Sequence, residues 1–264
     1  MSMGTLYMVI YGYIPYLVVL IFIAGILYRF ISWVISSSLT GLYSVAIMPN
    51  RDDYIKVTRE VLKRIFTFYT LNTNDRLLFI GSFLFHWGIW VVLIGHLGVI
   101  LPESVLSSFG ITPSLHRLIA YVAGGIAGTM ALTGLVILTI RRIIGYEVRV
   151  YSFNVRVNTP KISYLDDYFA LSILLLLVLF GLMQTLWLHP DFEATVVPWI
   201  ASLASFKPSV SYIATAPLIT QVHVFLAMLF IAYFPWGKMM HPFSFLVMPT
   251  ITRPAIKISK LGAS

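Results

Sequence analysis

The 264-residue chain is 59% apolar and 11% charged, a balance that excludes an ordinary soluble domain and indicates a polytopic membrane protein. It holds no cysteine, which excludes thiolate-ligated iron–sulfur clusters, covalently attached c-type haem and disulfides within it. Its formal charge of +8 could suit nucleic acid, but the basic residues sort by loop as membrane orientation requires, so no nucleic-acid partner is expected.

Five stretches are long and apolar enough to cross about 30 Å of hydrocarbon at about 1.5 Å per residue. They lie at 7–36, 77–101, 115–140, 168–188 and 218–236. The start M-S-M-G-T-L-Y lacks the basic region of a signal peptide, so the first stretch is expected to stay as a helix. Segment 49–76 follows, with K-V-T-R-E-V-L-K-R-I-F reading as a basic amphipathic helix. It either rests on anionic lipid or docks a cytoplasmic partner. Outside the fourth and fifth stretches, 189–217 contains V-V-P-W-I-A-S-L-A-S-F, an interfacial helix expected to cap the bundle. No internal repeat or low-complexity linker divides the chain, so 1–264 is expected to be one domain.

Charge orients these spans. Arg29, Arg51, Lys56, Arg59, Lys63, Arg64, Arg76, Arg141, Arg142, Arg149, Arg156, Lys161, Lys238, Arg253, Lys257 and Lys260 fall on one side, and Arg117 and Lys207 on the other. The positive-inside rule then puts the N-terminus outside and the C-terminus in the cytoplasm. The expected fold is all-α, a bundle of five transmembrane helices in the cell membrane.

Four histidines stand inside or at the end of two spans. His86 and His96 are ten positions apart in F-H-W-G-I-W-V-V-L-I-G-H, and His223 and His241 are eighteen apart in H-V-F-L-A-M-L-F-I-A-Y-F-P-W-G-K-M-M-H. An intramembrane imidazole is costly unless its nitrogens are satisfied, and haem iron accepts two of them axially. The second and fifth spans run antiparallel, which pairs His96 with His223 near the outer face and His86 with His241 toward the inner side. The axial spans differ, about 15 Å against about 27 Å at 1.5 Å per residue. Pro235 and Gly237 break the last helix before His241 and allow the chain to bend back. A zinc centre would want a compact tetrahedron with cysteine or carboxylate, and neither accompanies these helices. In the third span, A-G-G-I-A-G (123–128) includes Gly124, Gly125 and Gly128. These glycines suit either a porphyrin face or small-residue helix packing.

The motifs F-H-W-G-I-(x)5-G-H, Y-V-A-G-G-I-A-G and H-(x)10-F-P-W-G-K-M-M-H resemble the respiratory nitrate reductase gamma subunit family, di-haem cytochromes b that anchor a molybdenum enzyme. The G-Y-I-P-Y-L start and V-P-W-I-A-S-L-A-S-F also fit, so the resemblance covers most of the chain. It implies two haem b groups, the outer on His96 and His223 and the inner on His86 and His241. It further implies oxidation of a membrane quinol near the outer haem, with electrons passed to iron–sulfur and molybdenum subunits. The family's quinol pocket maps to Gly95 and, where the family has a lysine, to His116. The neighbouring Arg117 can supply the fixed charge. His116 and Arg117 also suit a plain headgroup interface. The long basic segment 49–76 is similar to membrane subunits of sulfite-reduction and heterodisulfide-reductase-like complexes, which leaves the terminal acceptor open. Reversed flow into quinone, a haem-free proton-coupled transporter and a passive anchor are the competing functions.

Overall fold

The first apolar stretch is one continuous rod. In the computed structural model, α1 (Met3–Tyr7) runs through a π-helical section (Met8–Tyr13) into α2 (Ile14–Leu39). The structure describes residues 2–39, 53–72, 75–101, 103–145, 147–150 and 155–244. Of the basic residues that orient the chain, Arg51, Arg253, Lys257 and Lys260 lie outside the described residues. Next come α3 (Asp53–Thr67) and α4 (Tyr69–Asn72), separated by Phe68 in a left-handed conformation at φ 50°.

The spans then follow as α5 (Arg76–Ile100), α6 (Glu103–Ser108), α7 (Pro113–Ile140, extended by a π-helical turn to Gly145) and α8 (Leu165–Met183, extended likewise to Leu188). Segment 189–217 folds as α9 (Val196–Ala204) and α10 (Ser211–Ala214), before α11 (Leu218–Tyr233) and α12 (His241–Ser244). Four helical stretches among the described residues are long and apolar enough to cross a membrane: Met3–Ile35, Arg76–Ile100, Pro113–Gly145 and Leu165–Leu188. With 16 residues, α11 is shorter than the sequence suggests. Its last turn ends at Tyr233 because Pro235, two residues on, cannot continue the ladder. The all-α expectation also needs one addition, an antiparallel ribbon of β1 (Glu147–Val150) and β2 (Val155–Asn158) between α7 and α8.

Local chemistry sets the helix starts. Asp75 caps α5 by accepting from Leu78 N at 2.9 Å, and Thr112 caps α7 by accepting from Leu115 N at 3.3 Å, with Pro113 in the first turn. Each cap contributes about 1 kcal/mol. Asp75 is also tied to Arg141, whose Nη2 donates to Oδ2 at 2.6 Å, and both side chains are nearly inaccessible. That pair joins the start of α5 to the end of α7.

Packing runs α5 against α7, α7 against α8, α8 against α11, and α11 against α2. The α5–α7 contact is the tightest, because at Gly88 and Gly134 backbone meets backbone. A Cβ on Gly88 would sit 2.5 Å from Ala127 O and from Ala131 N, and one on Gly134 would sit 2.6 Å from Gly81 O. Without a hydrophobic driving force in lipid, such close backbone approach is what holds helices together. Around it gather Phe85, Ala131, Leu135, Leu174 and Val178.

A second core closes the end that carries 189–217. Trp199 of α9 is buried against Tyr11 and donates its indole N–H to Tyr11 O at 2.9 Å, beside Val18, Ile213 and Met228. Gln221 at the start of α11 is held there by Tyr7, whose hydroxyl donates to its Oε1 at 2.6 Å. The 189–217 segment therefore caps the bundle by inserting an aromatic side chain between α2 and α11.

Candidate histidine pairs and the outer pocket

All four intramembrane histidines find each other across α5 and α11–α12, in the two combinations expected from topology. His96 and His223 bring their ring centroids to 6.3 Å with planes 28° apart. His86 and His241 approach to 5.8 Å between centroids, with Nε2 to Nε2 at 3.5 Å. The return of His241 is local. After Tyr233 the chain turns through Phe234–Trp236, runs extended at Gly237 and re-enters a short 3-10 turn at Lys238–Met240. Arg29 braces that turn, donating to Pro235 O at 2.8 Å and Trp236 O at 2.7 Å.

Backbone carbonyls fix the ring orientations. His86 Nδ1 lies 2.7 Å from Ser82 O, His96 Nδ1 2.7 Å from Val92 O, and His241 Nδ1 3.1 Å from Lys238 O. A carbonyl only accepts, so each Nδ1 carries the proton and each Nε2 presents a lone pair. In the pair of His86 and His241 the two Nε2 atoms lie 3.5 Å apart. Two imidazole–metal bonds of about 2 Å span about 4 Å, close to the separation present. His223 Nδ1 is buried without a hydrogen-bond partner, and its ring lies over Gly181, where a Cβ would sit 3.2 Å from Cε1. Among the described residues no three His, Cys, Asp or Glu gather as a metal site. The donor set is two separate pairs of imidazoles, which fits an iron macrocycle that needs only axial ligands and not a tetrahedral ion.

The other candidate residues fall in two places. Gly95 faces open space, with nothing within 4 Å of a Cβ built there. His116, on the first turn of α7, lays its ring over Gly98 of α5, and Arg117 beside it is exposed. Gly124, Gly125 and Gly128 face α8: their Cβ atoms would meet Thr185 Cγ2 at 3.6 Å, Leu186 Cδ2 at 3.2 Å and Leu182 Cδ1 at 2.9 Å.

Several residues around the site carried no readable signal. Phe68 sets its ring 5.0 Å from that of His86, and Phe66 and Phe68 pack on Trp90. The chain leaving α3 therefore packs against His86. Asp167 accepts from Lys238 Nζ at 2.7 Å and lies 3.2 Å from Arg142 Nη1, tethering the turn before His241 to α8 and to the end of α7. Each of these contacts joins segments far apart in sequence, so no spacing announces it.

Fold and site together define a multi-pass helical membrane protein with paired imidazoles between its helices, the frame of a membrane cytochrome b. The nitrate reductase gamma subunit family model matches residues 66–260, and the chain belongs to that family. It is 30% identical to the nitrate reductase gamma chain of Bacillus subtilis, over 96% of this chain and 97% of that one. The respiratory nitrate reductase 2 gamma chain of Escherichia coli is 30% identical over 65% of this chain and 73% of its own. The Hdr-like menaquinol oxidoreductase cytochrome b-like subunit of Archaeoglobus fulgidus is 28% identical over 93% of this chain and 80% of its own. The family places the chain among the membrane cytochrome b subunits of respiratory oxidoreductases.

Proposed function

We propose that the chain is the di-haem b subunit of a quinol-oxidising respiratory complex, with α11 as a fifth span, the N-terminus outside and the C-terminus cytoplasmic. His96 and His223 hold the outer haem, and His86 and His241 the inner. The observation that supports this most is the approach of His86 and His241, whose Nε2 atoms lie 3.5 Å apart while both Nδ1 atoms are at carbonyls. When bound, the haems supply one-electron redox chemistry. The chain's own residues bind, orient and exclude.

Quinol binds at the outer end of α5, where Gly95 leaves room for a ring and His116 and Arg117 offer a base and a fixed charge. The carbonyls of Ser82, Val92 and Lys238 hold three imidazoles as Nε2 ligands and raise their basicity. Phe68 and Trp90 cover the inner pair on the side of α3. Electrons travel from the outer site inward to iron–sulfur and molybdenum partner subunits, as expected of a nitrate-reductase-like complex.

Replacing His96 or His223 with alanine should remove one haem from the reduced-minus-oxidised spectrum and leave the other. Retention of both haems after either change, or colourless wild-type protein in a pyridine haemochrome assay, would overturn the assignment. A second reading rests on the archaeal relative, which aligns over 93% of this chain. It keeps the haems and the menaquinol-type donor and replaces the terminal acceptor by that of a heterodisulfide-reductase-like complex. Co-purified partner subunits separate the two.

A further inference from the structure

Segment 189–217 sets a carboxylate against an imidazole of α7. Glu193 sits in a turn fixed by its own bonds: Asp191 Oδ1 accepts from Ala194 N at 3.0 Å, Thr195 Oγ1 donates to Asp191 O at 2.6 Å, and Val196 N donates to Phe192 O at 3.0 Å. Opposite it stands His116, placed by the Thr112 cap and the Pro113 start of α7. Its ring meets Phe192 edge-on at 5.4 Å between centroids. Glu193 Oε1 lies 3.9 Å from His116 Nδ1, while His116 Nε2 lies over Gly98, where a Cβ would clash with it.

The imidazole is therefore held between two faces. One nitrogen looks at a carboxylate, and the other at α5, two residues from His96 and one turn from Gly95. Exposure is graded in the same direction, 14% for the His116 side chain and 33% for that of Glu193. A shielded base is backed by a wetter acid. A carboxylate behind an imidazole fixes the tautomer, so that the far nitrogen is the base, and it stabilises the imidazolium once that nitrogen is loaded. Other charged residues of this end are Arg117, Asp191 and Lys207, all exposed, and Glu103 at the start of α6.

We propose that Glu193 is a positioning residue for quinol oxidation, holding His116 with Nδ1 protonated and Nε2 free, and passing the released proton to outer water. The inference rests on the quinol reading above. In each of two one-electron steps, one electron would pass from the quinol to a one-electron acceptor, the haem that His96 and His223 would hold. One hydroxyl O–H breaks, its proton binds His116 Nε2, and the Nδ1 proton moves to Glu193. Glu193 gives that proton to water; before the second step Nε2 releases its proton to water and Nδ1 takes one back from water, a net-zero exchange that restores the starting tautomer, so two electrons and two protons leave each quinol.

The test is stopped-flow reduction of the haems in the intact complex by a short-chain naphthoquinol, with haem content measured on the same samples. Glu193→Gln should lower the limiting rate at least tenfold, keep the half-saturating quinol concentration within about twofold, and leave the haem content unchanged, while Glu193→Asp restores most of the rate. A limiting rate within twofold of wild type in Glu193→Gln overturns the inference. So does a defect that Glu193→Asp shares and that comes with lost haem or a raised half-saturation, because that pattern is structural. If naphthoquinol does not reduce the wild-type haems, the quinol reading itself fails, an outcome distinct from a quinol-competent wild type with an indifferent Glu193.

Discussion

Gly88→Ala tests whether the α5–α7 contact sets the histidine geometry. The added Cβ would fall 2.5 Å from Ala127 O and Ala131 N and 2.9 Å from Ala131 Cα. Ordinary carbon contacts begin near 3.4 Å, so the helices must part by about 0.9 Å. Overpacking of this kind costs about 1–3 kcal/mol, and the better helix propensity of alanine returns about 1 kcal/mol. The obstructing atoms are backbone and cannot rotate aside, so the upper end applies, for a net loss of about 2 kcal/mol. His86 is two residues away, so the displacement also carries it off His241. The variant should show a lower melting midpoint in detergent and a reduced haem-to-protein ratio, weighted toward the inner haem. Gly95→Ala is the matched control on the same helix. Its Cβ meets nothing, so its midpoint and haem content should equal or slightly exceed those of wild type. Gly88→Ala with wild-type midpoint and haem content would refute the reasoning.

Asp75→Asn keeps the cap on Leu78 N but removes the charge facing Arg141 across a nearly inaccessible contact. Breaking a buried pair on one side is strongly unfavourable, so about 3 kcal/mol of stability should be lost, read as an earlier transition in chaotrope titration. Glu60 on α3 has its carboxyl held below the usual carboxylate range, chiefly by the hydroxyl of Tyr69 and then by Arg64. A depressed folded pKa stabilises above the unfolded value and ceases to do so as pH falls through the folded one. Amide protection across α3 and α4 should therefore be full at neutral pH and decline only below about pH 4, the ordinary glutamate range, while Glu60→Gln should show no such acid transition.

The spans were legible because each is a one-body property. A run of apolar residues about 30 Å long is favoured in hydrocarbon wherever its neighbours lie, and the helices Arg76–Ile100 and Leu165–Leu188 stand within a few residues of where the hydropathy put them. The exception is α11, where Pro235 and Gly237 mark a break but leave its length open. The histidines were legible for a related reason, since an imidazole in a bilayer needs a partner whatever the packing. Their alternation along antiparallel helices left one sensible pairing.

What only the tertiary structure decided are the two-body terms. Gly88 and Gly134 make the closest backbone approach, Gly88 against Ala127 of the A-G-G-I-A-G run, while the glycines of that run, Gly124, Gly125 and Gly128, take up α8 side chains. Sequence marks small residues but not the rotation of each helix about its axis, which selects the ones that face a neighbour. The same holds for Phe68 on His86, Lys238 on Asp167, and Glu193 on His116. Each joins residues between 18 and 77 positions apart, and each depends on crossing angles and on turns at Phe68, Gly237 and Asp191. Composition and spacing thus fix a membrane protein with four imidazoles to satisfy. Which imidazoles face each other, at what distance and with what beside them, follows from how the helices lean, because contact energies depend on relative placement and not on the sequence of either partner alone.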